Sequence, residues 1–153
     1  MTAPSGLLLT HGAGGDSSHR LLVALEEQLE LPVWRMDFPY RREGRKAPDR
    51  APKLIAALRD EVPVAARRLG VDPARLAFGG RSMGGRIASM AVAEGLPASA
   101  VVLLSYPLHP PGKPENLRID HWPDLKVPTL FVNGDRDPFG TPDELTAHLG
   151  SIA

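Results

Sequence analysis

Short apolar runs alternate along the chain with longer stretches in which apolar residues recur every three to four positions. The apolar runs predict five strands, at residues 6–10, 32–37, 75–79, 100–104 and 129–133. The amphipathic stretches predict four helices, at residues 17–29, 52–69, 83–93 and 142–149. This alternation is typical of a parallel sheet that is covered by helices.

Two local features refine the predicted helices. Asp16 or Ser17 is expected to cap the first helix, because a short polar side chain can accept hydrogen bonds from the free amides of a first turn. Pro63 lacks an amide hydrogen, so it is expected to kink the second helix or to divide it into two shorter ones.

The predicted strands form one α/β domain over residues 1–153, since the chain shows no internal repeat and no low-complexity linker. Right-handed crossovers would give an open, doubly wound, mostly parallel five-stranded sheet of order 2-1-3-4-5, with helices on both faces. Ligands of such sheets bind at the switch point, which the loops after strands 1 and 3 flank. The proline-rich segment 105–128 cannot be one long helix. It is either a loop that covers the site or a structural strap.

A glycine-rich turn joins the third strand to the third helix. Its residues 80–84, GRSMG, fit the pattern G-x-S-x-G, in which a serine stands on a sharp strand-to-helix turn. Gly80 and Gly84 avoid the clashes that side chains would make beside the strained serine. We predict that Ser82 is a nucleophile at a helix N-terminus and that the backbone N–H of Met83 binds the oxyanion. A plain glycine-rich turn is the alternative.

A second glycine-rich loop, HGAGG at residues 11–15, directly follows the first strand. Its glycines allow close approach to Ser82, so the N–H of Ala13, or of its neighbour Gly12, is predicted to be the second oxyanion donor. His11 is predicted to brace the loop rather than to transfer a proton. A phosphate-binding loop is the competing interpretation, but the G-x-G-x-x-G spacing and the P-loop lysine are absent from the sequence.

Two aspartates stand in the loop after the fifth strand, NGDRDP at residues 133–138. When a serine stands on such a turn, the acid of a catalytic triad follows it in chain order, after a late strand. Asp137 is predicted to be this acid, and Pro138 fixes the turn that follows it. Asp135 is expected to stabilise the turn through its own backbone. The alternative, that both aspartates only form the turn, stays open.

Five segments of the chain together resemble the α/β-hydrolase superfamily and, within it, the small KANL/Tex-type family, which is dienelactone-hydrolase-like in bacteria. They are THGAGG at 10–15, MDFPYRREGR at 36–45, GGRSMGGR at 79–86, YPLHPPGKPENLR at 106–118 and PTLFVNGDRDPFGTPDEL at 128–145. The resemblance covers nearly the whole chain and implies a Ser–Asp–His hydrolase of ester, thioester or related acyl substrates. Its G-x-x-D pattern also favours Asp137. Some eukaryotic relatives are thought to act as complex subunits, so a non-catalytic interaction module is the alternative.

The resemblance also implies one more strand and helix, with the catalytic histidine between them. We therefore expect a hydrolase core that lacks these elements and has little or no activity, because a serine without a base is a poor nucleophile. His109 and His148 are minor candidates for the base, and His19 and His121 are expected to be structural or exposed. The uncovered edge of the fifth strand could then recruit a second copy of the chain and form a homo-oligomer.

Composition narrows the choice of partners. The net charge is +0, which gives no general attraction to nucleic acid or to an anionic membrane, and the chain contains no cysteine. The first residues show no basic leader, and no apolar run is long enough to cross a bilayer. We expect a cytoplasmic protein that acts on a small-molecule acyl substrate without a metal or an organic cofactor.

One basic cluster remains, formed by Arg41, Arg42, Arg45, Lys46, Arg50 and Lys53. It could bind an anionic substrate or partner. The preferred interpretation is a solvated loop in which one or two arginines have a partner within the chain.

Overall fold

The computed structural model describes residues 3–153, so Met1 and Thr2 of the predicted domain lie outside the described residues. The strands are β1 (Gly6–Thr10), β2 (Val33–Arg35), β3 (Leu76–Arg81), β4 (Ala100–Leu104) and β5 (Thr129–Val132). The helices are α1 (Arg20–Gln28), α2 (Pro39–Arg42), α3 (Ala51–Leu69), α4 (Met83–Ala93) and α5 (Pro142–His148).

The five strands form one open parallel sheet in the order β2-β1-β3-β4-β5, which confirms the predicted order. The register pairs Thr10 with Gly80, and Arg81 with Leu104. The carboxyl ends of β1, β3 and β4 therefore meet at one edge of the sheet. The order reverses between β1 and β3, so the loops after these strands flank the switch point.

Successive side chains of a strand point to opposite faces of the sheet, so the strands contribute to two hydrophobic cores, one on each face. Leu8 of β1 and Phe78 of β3 are fully buried on one face, where α3 and α4 contribute their apolar sides. Leu7 and Leu9 point to the other face and pack with Leu22 of α1. Helices therefore cover both faces, as predicted.

Helix α1 begins three residues later than predicted, and its predicted caps are wrong. His19 caps it, with the ring Nδ1 accepting the amide of Leu21 at 3.1 Å. Asp16 instead accepts bonds from the amide and hydroxyl of Ser18, and Ser17 donates its amide and hydroxyl to Asp37. A carboxylate that is distant in sequence thus takes Ser17 away from the helix.

Helix α3 runs without interruption through Pro63, so the expectation of two separate pieces is wrong. Pro63 is exposed, which leaves the carbonyl freed by the missing amide on the outer side of the helix, where water can solvate it. Its buried face continues on both sides of the proline, from Leu54 and Leu58 to Ala65 and Ala66.

Strand β5 forms the outer edge of the sheet and pairs with β4. Its Phe131 packs against Tyr106 and Trp122, at ring separations of 5.8 and 5.3 Å. On its other face, Leu130 and Val132 remain 57% and 51% exposed. No helix within residues 3–153 is long and apolar enough to cross a membrane.

Candidate functional site

Ser82 stands between β3 and α4 in a conformation that non-glycine residues rarely adopt. Its φ is 52° and its ψ is −120°. Such a conformation costs of order 1–3 kcal/mol and persists only when the surrounding structure enforces it. Here the Ser82 amide donates to the carbonyl of Leu104 at 2.8 Å, and its carbonyl accepts the amide of Arg86. The β4 strand and the first turn of α4 thus hold the residue from both sides.

The two glycines that flank the serine have no space for a side chain. A Cβ on Gly80 would lie 2.1 Å from Thr10 Oγ1 and 2.5 Å from the backbone of Gly84. A Cβ on Gly84 would lie 2.5 Å from the carbonyl oxygen of His11. The G-x-S-x-G spacing therefore has a packing reason, because α4 can approach the end of β1 this closely only with glycine at both positions.

The loop at residues 11–15 approaches Ser82 closely. A Cβ placed on Gly12 would lie 3.6 Å from the Cβ of Ser82. A pocket of about 280 Å³ includes Ala13, Ser82 and Met83 in its lining. Within residues 3–153, the backbone N–H groups of Ala13 and Met83 donate no hydrogen bond. Both are free to receive an anionic oxygen in this pocket.

His11 is fully buried and holds this loop in place. Its Nδ1 bonds to the carbonyl of Gly12 at 2.8 Å, and its Nε2 accepts the amide of Phe38 at 3.1 Å. These partners require a neutral ring protonated at Nδ1, and burial lowers the pKa of His11 below its usual 6.5. The hydroxyl of Tyr40 donates to the carbonyl of Ala13 at 2.8 Å. The segment after β2 thus braces the loop.

Asp137 shares a second pocket with Ser82, of about 360 Å³, which Ser105 also lines. The Oδ1 of Asp137 accepts the amide of Phe139 at 2.9 Å, which fixes the carboxyl group in a tight turn. Asp135 is exposed and does not line this pocket. Of the two aspartates, the structure brings only Asp137 to the serine.

No histidine of the described residues forms a hydrogen bond with Ser82 or Asp137. His19 caps α1, and His121 shares a 2.7 Å bond with the hydroxyl of Ser89. His109 is buried and bonds to Glu144 at 2.6 Å, and His148 lies at the end of α5. The serine and the aspartate line one pocket without a base between them.

The proline-rich segment between β4 and β5 combines both of its predicted roles. Trp122 is buried against Tyr106, whose hydroxyl donates to the carbonyl of Arg118 at 2.6 Å, so the segment is a structural strap. Pro107 and Arg118 also line the 280 Å³ pocket beside the serine. The same segment therefore supports the fold and forms a wall of the site.

Three residues that line the two pockets were not predicted from the sequence. Ser105 adopts a φ of 53°, and Arg86 and Arg118 line the 280 Å³ pocket. The arginines stand inside the GGRSMGGR and YPLHPPGKPENLR segments, but no periodicity or spacing marks them as pocket residues. Within residues 3–153, no group of three or more histidine, aspartate and glutamate side chains is arranged to hold a metal ion.

The family comparison agrees with this architecture. Residues 3–151 match the model of a family described as an alpha/beta hydrolase domain. The chain therefore belongs to the α/β-hydrolase domain family.

Solved structures resemble the chain over nearly its whole length. A candidate dienelactone hydrolase from Klebsiella pneumoniae subsp. pneumoniae has a TM-score of 0.73 at 19% identity, over 99% of this chain and 70% of that one. TT1662 from Thermus thermophilus has a TM-score of 0.71 at 23% identity, over 98% and 74%. Thermogutta terrifontis esterase 2, phosphonylated by sarin, has a TM-score of 0.65 at 15% identity, over 98% and 68%. At these identities the likeness shows the fold.

Proposed function

We propose that this α/β-hydrolase domain is a serine hydrolase that cleaves a small-molecule ester, thioester or related acyl substrate, with Ser82 as its nucleophile. The observation that carries the proposal is the backbone of Ser82, at φ 52° and ψ −120° between two glycines that admit no Cβ. Proteins keep such strain where it positions a reactive group. The fold family supports hydrolysis as the reaction class.

The mechanism follows from the groups around the first pocket. The hydroxyl oxygen of Ser82 attacks the substrate carbonyl carbon, and the carbonyl oxygen takes up negative charge. The N–H groups of Met83 and of Ala13, or its neighbour Gly12, hold this oxyanion, aided by the positive end of α4. A complete Ser–Asp–His mechanism would need a histidine oriented by Asp137, which would take the hydroxyl proton and return it to the departing alcohol or thiol, after which water would release the acyl group from Ser82. The mechanism uses no metal and no organic cofactor.

The missing contact with a histidine limits the expected rate. Loss of the histidine alone costs a serine protease about 10⁶ in turnover and leaves roughly 10³–10⁴ over the uncatalysed reaction. None of the histidines of residues 3–153 bonds to the Ser82 hydroxyl. We therefore propose that this 153-residue chain hydrolyses esters slowly or not at all.

A fluorophosphonate probe tests the proposal directly, because it reacts with an activated serine. The probe is an organophosphorus reagent, as is the sarin that phosphonylates Thermogutta terrifontis esterase 2. We expect slow labelling that mass spectrometry maps to Ser82 and that Ser82→Ala abolishes. Ser105→Ala is the matched control, since Ser105 lines the neighbouring pocket and has a similar φ. A folded wild-type chain that shows no labelling would contradict an activated serine.

The alternative function is a non-catalytic interaction module that keeps the hydrolase fold. Two observations favour it: the absence of a histidine contact at Ser82 within residues 3–153, and the exposed Leu130 and Val132 on the edge strand. An uncovered apolar edge can pair with another chain, so a homo-oligomer through β5 is the corresponding assembly. Such a module would leave Ser82 unlabelled and would associate through β5.

A further inference from the structure

Two arginines face the pocket beside Ser82. Arg86 belongs to the first turn of α4, one turn beyond the serine, and Arg118 comes from the proline-rich segment. Both line the 280 Å³ pocket, together with Ala13, Ser82 and Met83. The remaining lining residues are Pro107 and Phe139. The pocket therefore holds two positive charges beside the candidate nucleophile.

Neither arginine has a carboxylate partner within residues 3–153. The Nε of Arg86 is buried and forms no hydrogen bond with the described residues. The side chain of Arg118 forms one weak bond, from Nη1 to the carbonyl of Pro107 at 3.4 Å. Two half-buried guanidinium groups thus keep most of their donors free.

The two charges act on each other. Burial, and then the positive charge of Arg86, lower the pKa of Arg118 below its usual range. Burying a charge without a partner is costly, and a second like charge beside it adds to the cost. An anion in the pocket would relieve both costs, because it would pair with both guanidinium groups.

Several arginines of the basic cluster are paired with carboxylates, in contrast to the two arginines of the pocket. Arg42 pairs with Glu61 at 3.0 Å, and Arg45 pairs with Glu43 and with Asp49. Lys53 also reaches Asp49, and Arg41 lies 3.7 Å from Asp16. The basic cluster of the sequence is therefore largely neutralised within the chain, whereas the pocket arginines are not.

We propose that Arg86 and Arg118 bind an anionic group, a carboxylate or a phosphate, on the substrate whose carbonyl carbon Ser82 attacks. The inference rests on the proposed function and names its substrate class. Planar guanidinium groups bind carboxylates and phosphates through paired hydrogen bonds. The small volume of the pocket favours a short substrate, with Pro107 and Phe139 as its apolar walls.

Calorimetric titration with simple anions tests the arginine site without requiring turnover. The probes are succinate and methyl phosphate, with uncharged succinamide as the neutral match for succinate, all at low ionic strength. The wild-type chain is expected to bind one or both anions and not succinamide. Stronger binding of succinate indicates a carboxylate substrate, and stronger binding of methyl phosphate indicates a phosphate.

Variants assign the binding to the two arginines. Arg86→Gln and Arg118→Gln are expected to weaken anion binding at least tenfold, and Arg86→Lys to weaken it less. Arg67→Gln, on the exposed side of α3, removes the same charge away from the pocket and should leave binding unchanged. Thermal unfolding distinguishes anion binding from a merely structural role of Arg86. Because Arg86→Gln relieves like-charge repulsion, its unfolding midpoint should stay the same or rise, whereas a loss of packing would lower the midpoint.

The outcomes separate this inference from the proposed function. Equal binding of anions by wild type and Arg86→Gln, or equal binding of succinamide and succinate, would overturn the arginine site. Failure of wild type to bind either anion while Ser82 still labels would overturn only the anionic substrate. Anion binding that depends on Arg86 in a chain whose Ser82 does not label would support the arginine site and contradict an activated Ser82.

Discussion

The centre of the sheet and its β5 edge position the candidate site in different ways. At the centre, Thr10, His11 and Phe78 are fully buried, and a single added carbon on Gly80 would overlap other atoms. At the edge, a Cβ added to Gly134 would meet no atom within 4 Å beyond its chain neighbours, and Leu130 is 57% exposed.

This difference shows which parts of the site depend on packing. Ser82 and the Met83 N–H are held where backbone packs against backbone, so a Cβ added at Gly80 or Gly84 would overlap other atoms. Asp137 is held by a turn and by side-chain hydrogen bonds of the loops around it, which substitutions can change one at a time. We therefore expect mutations at the centre to affect folding and mutations at the edge to affect the placement of the acid.

The largest effect is expected for Gly80→Ala. Its Cβ would overlap Thr10 Oγ1 and the backbone of α4, so the free energy of unfolding should fall by roughly 3 kcal/mol. Gly134→Ala at the edge should change it by less than about 0.5 kcal/mol, because nothing lies near the added carbon. Urea unfolding of both variants measures the contrast. Similar free energies of unfolding for the two variants would contradict the expectation that the centre of the sheet tolerates added atoms less well than its edge.

A smaller effect is expected for Asn133→Ala, at the end of β5. The Asn133 amide accepts the N–H of Tyr106 at 3.1 Å and donates to the carbonyl of Gly140 at 3.1 Å. Without the Asn133 side chain, the backbone N–H of buried Tyr106 has no acceptor, so the free energy of unfolding should fall by about 1–3 kcal/mol. Asn116→Ala, on the exposed surface, is the control. Equal denaturation midpoints of the two variants would show that Asn133 does not hold the loops together.

The pair of His109 and Glu144, also at the edge, should make stability depend on pH. The hydrogen bond to the Pro110 carbonyl, and then Glu144, raise the pKa of His109 above its usual 6.5. Its stabilising contribution is therefore complete below pH 6.5 and is lost as the pH rises through the raised pKa. The pKa of Glu144 is lowered from 4.5, by the backbone amide of Thr141 and then by His109, so its contribution is present above pH 4.5.

Unfolding at two pH values measures this pair. The stability difference between wild type and His109→Gln should be larger near pH 5.5 than near pH 8.5. His148→Gln is the control, because its ring forms no hydrogen bond within the described part of the chain. A difference that stays constant between the two pH values would contradict a protonated His109 in the folded state.

The smallest effect on stability is expected for Leu130→Lys. The side chain is more than half exposed, so the free energy of unfolding should change by less than about 0.5 kcal/mol. If β5 pairs with a second copy, the added charges would repel across the edge and the oligomer would dissociate. Light scattering after size-exclusion chromatography measures the mass of wild type and variant. An oligomer that persists in the variant would exclude this part of the edge as its interface.

The sequence pattern predicted most of the fold. The bounds of α4 and β4 agree with the prediction, because a glycine-rich turn and apolar periodicity mark α4 and a continuous apolar run marks β4. The four-residue α2 was missed, since it is too short for periodicity to reveal. It begins with Pro39 at its first position and is fixed by Tyr40, which packs against His11 and Phe38.

The candidate site was predictable to the extent that it depends on neighbours in sequence. Ser82 and its flanking glycines form one local motif, and the structure gives the motif a packing reason. The roles of Ser82, Asp137 and the oxyanion donors remain predictions. The predicted cap of α1 is wrong because Ser17 hydrogen-bonds to Asp37, twenty positions further along the chain.

The sequence by itself determined the five strands, the four longer helices and the strained turn at Ser82, since each depends on local periodicity or on glycine, and right-handed crossovers then gave the sheet order. Only the tertiary structure decided which charges are paired. Asp16 and Glu61, which lie outside the basic cluster in the sequence, pair with its arginines. Glu144 hydrogen-bonds to His109, which lies 35 residues earlier in the chain. Arg86 and Arg118 find no carboxylate within the described residues. Charge pairing depends on separations in space, which periodicity along the chain does not encode.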